Sequence, residues 1–185
     1  MLKKIVLAVA VCVLLFGVLA PSVHAAQMEI EVEAPGSQEP VDYYLAYPGI
    51  LPDHFLYPIK MIRDRILLFL TTDALKKAEL YLLFADKRIG AAKSLIEGGK
   101  EKLGVTTATK AEKYLEKAIN QEEIAQKSNK ETTVFLEKLG KATRKHEEIL
   151  EELQTKVKEQ ARETIEATLK HSRQNQEEVR GRRGH

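Results

Sequence analysis

The sequence predicts an all-α protein, an elongated antiparallel bundle or hairpin of three to four long helices. Two observations indicate this class. After Pro58, apolar residues recur at spacings of three and four over most of the chain, which is the period of an amphipathic helix. The alternation typical of a strand is confined to residues 28–33, and no second segment offers that stretch a partner.

The N-terminal segment has the three-part layout of a secretory signal peptide. Two lysines precede an apolar run, Pro21 follows it, and Val23 and Ala25 place small residues before a cleavage point. The run is about 16 residues long, short of the roughly 20 that span a bilayer. We therefore expect residues 1–25 to be cleaved and the mature protein to be extracytoplasmic, either secreted or held in the periplasm or cell envelope. If the signal is retained, it would anchor the protein in the membrane.

Cysteine content indicates whether the mature chain can form disulfides, and charge content indicates which partners it can bind. The only cysteine, Cys12, lies in the signal segment, so the mature chain is predicted to fold without disulfides. The full chain has 29 basic and 27 acidic side chains, and removal of Lys3 and Lys4 leaves the two signs equal. Because no net cationic field remains, the sequence predicts no nucleic-acid partner.

Two flexible segments are predicted to frame a helical domain at residues 43–172. Residues 26–42 combine glutamates with two prolines and a glycine, a composition typical of a flexible acidic linker. Residues 173–185 end in the letters RGRRGH and are predicted to form a disordered basic tail.

The first helix is predicted to begin at Pro58, after a turn at residues 53–57, because proline is favoured in the first helical turn. Its apolar face is expected to pack in the core against the second helix, and comprises Phe55, Ile59, Ile62, Ile66 and Phe69. The alternative is that residues 58–70 lie on a membrane. Apolar residues 67–70 would then enter the lipid, and the headgroups would be met by Lys60, Arg63 and Arg65.

The second helix has the clearest periodicity. Residues Thr71, Thr72 and Asp73 are expected to end the first helix and cap the second, and Gly98-Gly99 to end the second. Ala78, Ala85 and Ala92 recur every seventh residue, so a partner helix can approach closely.

The rest of the chain continues with the same helical period. The third helix is expected to begin at Thr106 or Thr107, and Glu122 interrupts its apolar stripe. The polar stretch 120–133 is either a solvent-exposed helix or a break between two helices. A last helix is predicted after a kink near residues 155–158.

The histidines and acids do not form a recognisable chemical motif. His146 occupies an apolar-stripe position, and neither it nor His171 has a second ligand at helical metal-site spacing. A partly buried histidine satisfied by a neighbouring carboxylate is the expected state. We predict no catalytic residue, no metal site and no cofactor. The alternative is a metal-dependent enzyme that uses Asp53, His54, His146 or His171.

The segment from Tyr43 to Tyr57 is the most distinctive candidate surface, since it holds four of the six tyrosines. Prolines stiffen its backbone, and tyrosines bury ring area while their hydroxyls stay in water. The segment therefore either covers an open seam of its own bundle or presents an aromatic anchor to a partner. The predicted binding residues are Tyr43, Tyr44, Tyr47, Pro48, Gly49, Pro52, Asp53 and Tyr57.

The letters YPGILPD at 47–53, followed by Tyr57, Lys60 and the run RDR at 63–65, resemble an uncharacterised bacterial domain family of exported or membrane-tethered proteins. The resemblance covers roughly residues 43–155 and includes the phrases AELYLLFADKRIGAAKSLIEGGK and ATRKHEEILEEL. The family commonly has proline two residues after the aspartate, where this chain has Phe55. The resemblance implies a helical fold and an extracytoplasmic location, and supplies no catalytic residue.

The favoured function is therefore an exported, non-catalytic helical interaction or structural module. Its expected partner is another envelope or secreted protein. The alternative is an envelope chaperone-like protein that shields unfolded clients on an amphipathic helical surface.

Overall fold

The computed structural model describes residues 41–183, which form five helices and no strand. The helices are α1 (Tyr57–Leu70), α2 (Ala74–Glu97), α3 (Glu101–Lys127), α4 (Thr133–Lys156) and α5 (Glu159–Arg183). The predicted all-α class is confirmed. The predicted signal peptide at 1–25 and nearly all of the predicted linker at 26–42 lie outside the described residues. None of the described helices combines the length and the apolar character needed to cross a membrane.

Residue chemistry explains the ends of α1 and α2. Pro58 lies in the first turn of α1, where its missing N–H leaves no helical bond unmade. The Asp73 carboxylate accepts a hydrogen bond from the Lys76 backbone N–H and so caps α2, as predicted. Gly98 is the C-cap of α2, and Gly99 has a φ of 77°, a left-handed conformation that glycine adopts without strain.

The later helices differ from the prediction at the start of α3, and at residues 120–133 the structure decides between the two predicted alternatives. Helix α3 begins at Glu101 rather than at Thr106 or Thr107, because the left-handed glycine completes the chain reversal within three residues and the helix restarts at once. The polar stretch 120–133 contains a break between two helices. There Asn129 has a φ of 56°, a conformation that asparagine tolerates better than most residues and that ends a right-handed helix.

Small residues allow α2 and α3 to form the most extensive helix–helix contact of the described chain. Ala78, Ala85 and Ala92 are fully buried. On α3, a Cβ added to Gly104 would lie 2.5 Å from Ile96 Cγ1. The close approach predicted from the alanine period is therefore found at this seam.

The four longer helices form two hairpins, α2–α3 and α4–α5, that pack side by side. Helix α2 lies parallel to α4, since Asp86 and Lys93 contact His146 and Glu152 in the same order along both helices. Helices α3 and α5 are also parallel, since Thr109 and Ile119 contact Thr168 and Arg182 in the same order. Each hairpin thus packs its helices against the corresponding helices of the other.

Helix α1 lies on the outer side of the α2–α3 hairpin. The Arg88 guanidinium contacts Met61 of α1 and stacks 3.8 Å from the ring centre of Tyr114. Arg88 and Tyr114 are each two residues from Asp86 and Glu112, which face α4. Two residues correspond to about 200° around a helix, so α1 and α4 approach this hairpin from roughly opposite sides.

Residues 173–183 belong to α5, which differs from the predicted disordered tail. Arg182 forms ion pairs with Glu122, Glu123 and Glu178. Glu122, which interrupts the apolar stripe of α3, is fully buried and therefore needs a cationic partner. This link between α3 and α5 orders the end of the helix. Residues 184–185 lie outside the described range.

Candidate interaction surface

The predicted binding residues belong to two different environments. We define the lead-in as residues 41–56, which precede α1. Its Tyr44 and Tyr47 side chains are 91% and 83% exposed. Tyr43 and Tyr57 are half-buried against the helices. Of these four tyrosines, Tyr44 and Tyr47 are therefore the two whose side chains are free to meet a partner.

The middle of the lead-in is held against α2 and α1. Pro48 lies 3.8 Å from the position that a Cβ on Gly90 would occupy, so a small residue on α2 makes room for it. Gly49 has a φ of 66° and reverses the chain. Lys60 of α1 donates hydrogen bonds of 2.7 and 3.0 Å to the carbonyl oxygens of Pro48 and Ile50. The lead-in is thereby fixed to the helix that follows it.

Asp53 and His54 have structural partners. The Asp53 carboxylate forms an ion pair with Lys100, at the start of α3, and this bond lowers the pKa of the carboxyl. Pro52, beside it, is half-buried. The His54 ring stacks on Phe55 at 4.7 Å, and its Nδ1 accepts a 3.1 Å hydrogen bond from the Leu56 backbone N–H. The adjacent acid and histidine do not point at a common site.

Tyr43 enters a buried polar network between the two hairpins. Its hydroxyl donates a 2.7 Å hydrogen bond to Asp86 Oδ2. Asp86 Oδ1 lies 3.1 Å from His146 Nε2, and the other ring nitrogen of His146 lies 2.8 Å from Glu112 Oε1. His146 is fully buried. The expected carboxylate partner of this histidine is confirmed, and two carboxylates fill the role.

Electrostatics fix the protonation of this network. Burial opposes a charged imidazole, but the Glu112 and Asp86 carboxylates outweigh it and raise the pKa of His146 to about 9. Burial and the Asp86 carboxylate raise the pKa of the Tyr43 hydroxyl, which therefore remains a donor.

The two ring nitrogens of His146 face separate carboxylates on opposite sides. Such a set does not converge on one ion, and residues 41–183 contain no group of three metal-ligating side chains.

The apolar side chains of α1 face outward, so the expectation that they pack in the core is wrong. Ten of the thirteen exposed large hydrophobic residues in the described chain lie between residues 44 and 70. They are Tyr44, Tyr47, Ile50, Phe55, Ile59, Ile62, Ile66, Leu67, Phe69 and Leu70. The physical reason is that α2 already has its apolar partner in α3 and does not need α1.

The inner side of α1 is mixed in character, with Tyr57, Met61 and Leu68 half-buried around Asp64. Asp64 is its only buried residue. The Asp64 Oδ1 atom accepts hydrogen bonds of 3.2 and 2.8 Å from Arg63. Met61 Sδ lies 3.4 Å from the Arg88 guanidinium. Helix α1 thus contacts α2 through Met61 and Arg88, while its broadest apolar face stays in solvent.

A groove joins the lead-in to α1. It encloses about 410 Å³ and is lined by Tyr47, Pro48, Gly49, Ile50, Leu56, Ile59, Lys60, Arg63 and Lys87. Through this groove, the exposed Tyr47 of the lead-in is continuous with the apolar side of α1. We call this continuous area, residues 44–70 on their solvent side, the outer surface.

Comparison with known proteins identifies the family of the chain. No curated protein and no solved structure matches it. Residues 49–160 match the family model described as Domain of unknown function (DUF5667). The matched region begins in the lead-in and includes the whole of α1 to α4. Because the match covers more than half of the chain, the protein belongs to the Domain of unknown function (DUF5667) family.

Proposed function

We propose that this protein is an extracytoplasmic, non-catalytic helical module that binds a partner through its outer surface. The observation that carries the proposal is the concentration of exposed large hydrophobic residues between residues 44 and 70. Exposed apolar patches of this kind mark interaction sites on soluble domains. The helices would form an elongated support, since the 27 residues of α3 extend about 40 Å.

The titratable groups favour a non-catalytic module. Asp53 pairs with Lys100, and His146 is enclosed between two carboxylates with no opening to a substrate. His171 lies 3.4 Å from Glu116 in a surface pair. The metal-dependent alternative predicts a lower unfolding temperature after chelation and bound metal after purification. We expect neither, and either one would reinstate that alternative.

Cross-linking in the native envelope tests the proposal. The full chain is compared with a variant of the outer surface, Ile62→Ser with Phe69→Ser, and with a matched control, Ile124→Ser with Val134→Ser. Ile124 and Val134 are also exposed apolar residues, at 48% and 79%, but lie on α3 and α4. We expect cross-links to be lost only in the outer-surface variant. Full retention in that variant of the cross-links to protein and to lipid alike would remove the proposal. A protein found in these cross-links would also test the expectation that the partner is another envelope or secreted protein.

The lead-in allows a separate test of its two kinds of tyrosine. Tyr44→Ala with Tyr47→Ala should weaken cross-linking and leave the unfolding temperature unchanged, because both rings are exposed. Tyr43→Phe should lower the unfolding temperature, because the change removes a charge-assisted hydrogen bond to Asp86. The reverse pattern would contradict the assignment of these residues.

A chaperone-like activity is the second candidate, because an exposed apolar helix can also shield unfolded clients. It predicts that the protein suppresses client aggregation at stoichiometric ratios and that the outer-surface variant does not. Inactivity against several unrelated clients would eliminate this candidate and leave the dedicated module.

A further inference from the structure

The exposed apolar side chains of α1 form one broad face. At 100° per residue they occupy about 160° of the helix circumference. They are Ile59, Ile62, Ile66, Leu67, Phe69 and Leu70. The opposite side carries half-buried Tyr57, Met61 and Leu68 and buried Asp64, and Met61 contacts Arg88 of the α2–α3 hairpin. The broadest apolar face of the helix is therefore turned toward the surroundings.

Basic residues border this apolar face. Arg65 follows the face on one edge and Lys60 on the other, and Arg63 lies within it. The only carboxylate of α1 is Asp64, which is buried and paired with Arg63. Lys87 adds a further cation beside the groove. The face consequently presents apolar groups and positive charge, and no negative charge from α1.

This charge pattern selects among possible occupants. A second copy of the chain would bring two cationic faces together with no α1 carboxylate to neutralise them. An acidic protein would neutralise the border cations, but it would also need an apolar region of matching breadth. An anionic bilayer supplies both requirements, since its acyl chains receive the apolar side chains and its phosphates meet the border cations.

We infer that α1 lies in the plane of an anionic phospholipid surface and docks the protein on it. The apolar side chains enter the boundary between headgroups and acyl chains, and Arg65 stays at the level of the phosphates. On the other edge, the Lys60 ammonium remains bonded to the lead-in carbonyls and adds its positive charge to the border. The lead-in places Tyr47 beside this layer, where an aromatic ring with a polar tip is favoured. The inference rests on the proposed function and names the partner of the outer surface.

The test measures lipid contact at α1 itself, so that insertion of the N-terminal apolar segment is not mistaken for it. In a full chain carrying Cys12→Ser, an environment-sensitive fluorophore is attached at Phe69→Cys or, as the control, at Val134→Cys. These positions are 84% and 79% exposed, so neither label disturbs the core. Each labelled chain is mixed with phosphatidylcholine vesicles with or without phosphatidylglycerol, and quenching by doxyl-labelled lipid is recorded.

We expect strong quenching at position 69, little at position 134, and much weaker binding to vesicles that lack phosphatidylglycerol. Arg65→Gln should weaken binding about fivefold, the effect of one cation near an anionic surface. Arg180→Gln, an exposed arginine on α5, is the matched control and should change nothing. A second label at Ile62→Cys guards against a local effect at position 69.

Equal quenching at positions 69 and 134, or none at position 69, would overturn the lipid assignment. If that result were accompanied by a protein cross-link lost only in the outer-surface variant, the interaction module would stand with a protein partner instead. If vesicle contact and surface-dependent cross-links were both missing, the proposed function would fall as well.

Discussion

The buried His146 network gives the most demanding stability prediction. Replacing His146 by glutamine keeps a polar side chain of similar reach but removes the positive charge between Asp86 and Glu112. Two carboxylates would then remain buried without a cation. Breaking a buried ion pair in this way costs about 3–5 kcal/mol. We therefore expect the free energy of unfolding of the variant to fall by about 3 kcal/mol or more.

The pH dependence provides a second, independent estimate. The pKa of His146 is about 9 in the folded protein, against an ordinary value of 6.5. Because the folded state holds this proton more tightly, the stabilisation is complete below pH 6.5 and is lost as the pH rises through 9. A difference of this size corresponds to about 3 kcal/mol. The wild type should therefore lose stability over this interval, and the loss should be missing in His146→Gln.

Urea denaturation at a series of pH values from 6 to about 10 measures both effects, with the free energy obtained by linear extrapolation. The matched control is His171→Gln, because His171 is partly exposed and 3.4 Å from Glu116. A pair of that kind contributes about 0–1 kcal/mol. Equal losses in the two variants, or an unchanged pH slope in His146→Gln, would refute the assignment of a charged histidine in the network.

The other stability predictions concern the α2–α3 seam and the end of α5. Gly104→Ala should lower the free energy of unfolding by about 1–3 kcal/mol, because the new Cβ would lie 2.5 Å from the Ile96 side chain. The control Gly181→Ala places its Cβ where no atom lies within 4 Å, so it should be neutral or stabilising by up to about 1 kcal/mol. Thermal unfolding separates them, and similar effects would contradict the seam geometry. Arg182→Ala should destabilise by about 3 kcal/mol, since Glu122 would be left buried without its partner. A free energy of unfolding in urea within 0.5 kcal/mol of the wild type, the usual scatter of a surface substitution, would show that this pair does not order the helix end.

Local sequence rules predicted the features that local chemistry determines. The alanine period predicted that a partner helix could approach α2 closely, without identifying α3 as that partner. The cap at Asp73 and the stop at Gly98-Gly99 follow from backbone hydrogen bonding. The solvent exposure of α1 was not predictable in the same way. A periodic apolar face shows that one side of a helix avoids water, and it does not show whether protein or lipid covers that side.

Pairs of residues that are distant in the sequence were the second feature that sequence patterns could not predict. The composition of the terminal letters RGRRGH predicts disorder, and Glu122 is a charged residue that interrupts an apolar stripe. The two observations explain each other only when Arg182 is brought to Glu122 from 60 residues away. The partners of His146 likewise lie on two other helices. No window of neighbouring residues contains that information.

The sharing of one carboxylate between Tyr43 and His146 has a consequence for the order of assembly. Asp86 uses one oxygen for the lead-in and the other for α4. During synthesis, the lead-in and the first hairpin emerge before the histidine that neutralises and orients this carboxylate. The Asp86 carboxylate that accepts the Tyr43 hydrogen bond therefore gains its cationic partner only after the second hairpin has docked. A chain interrupted before α4 would keep the lead-in contacts to α1 and α2, but its Asp86 would lack a neutralising charge. We expect its tyrosine-rich segment to be cleaved faster by a protease than that of the complete chain.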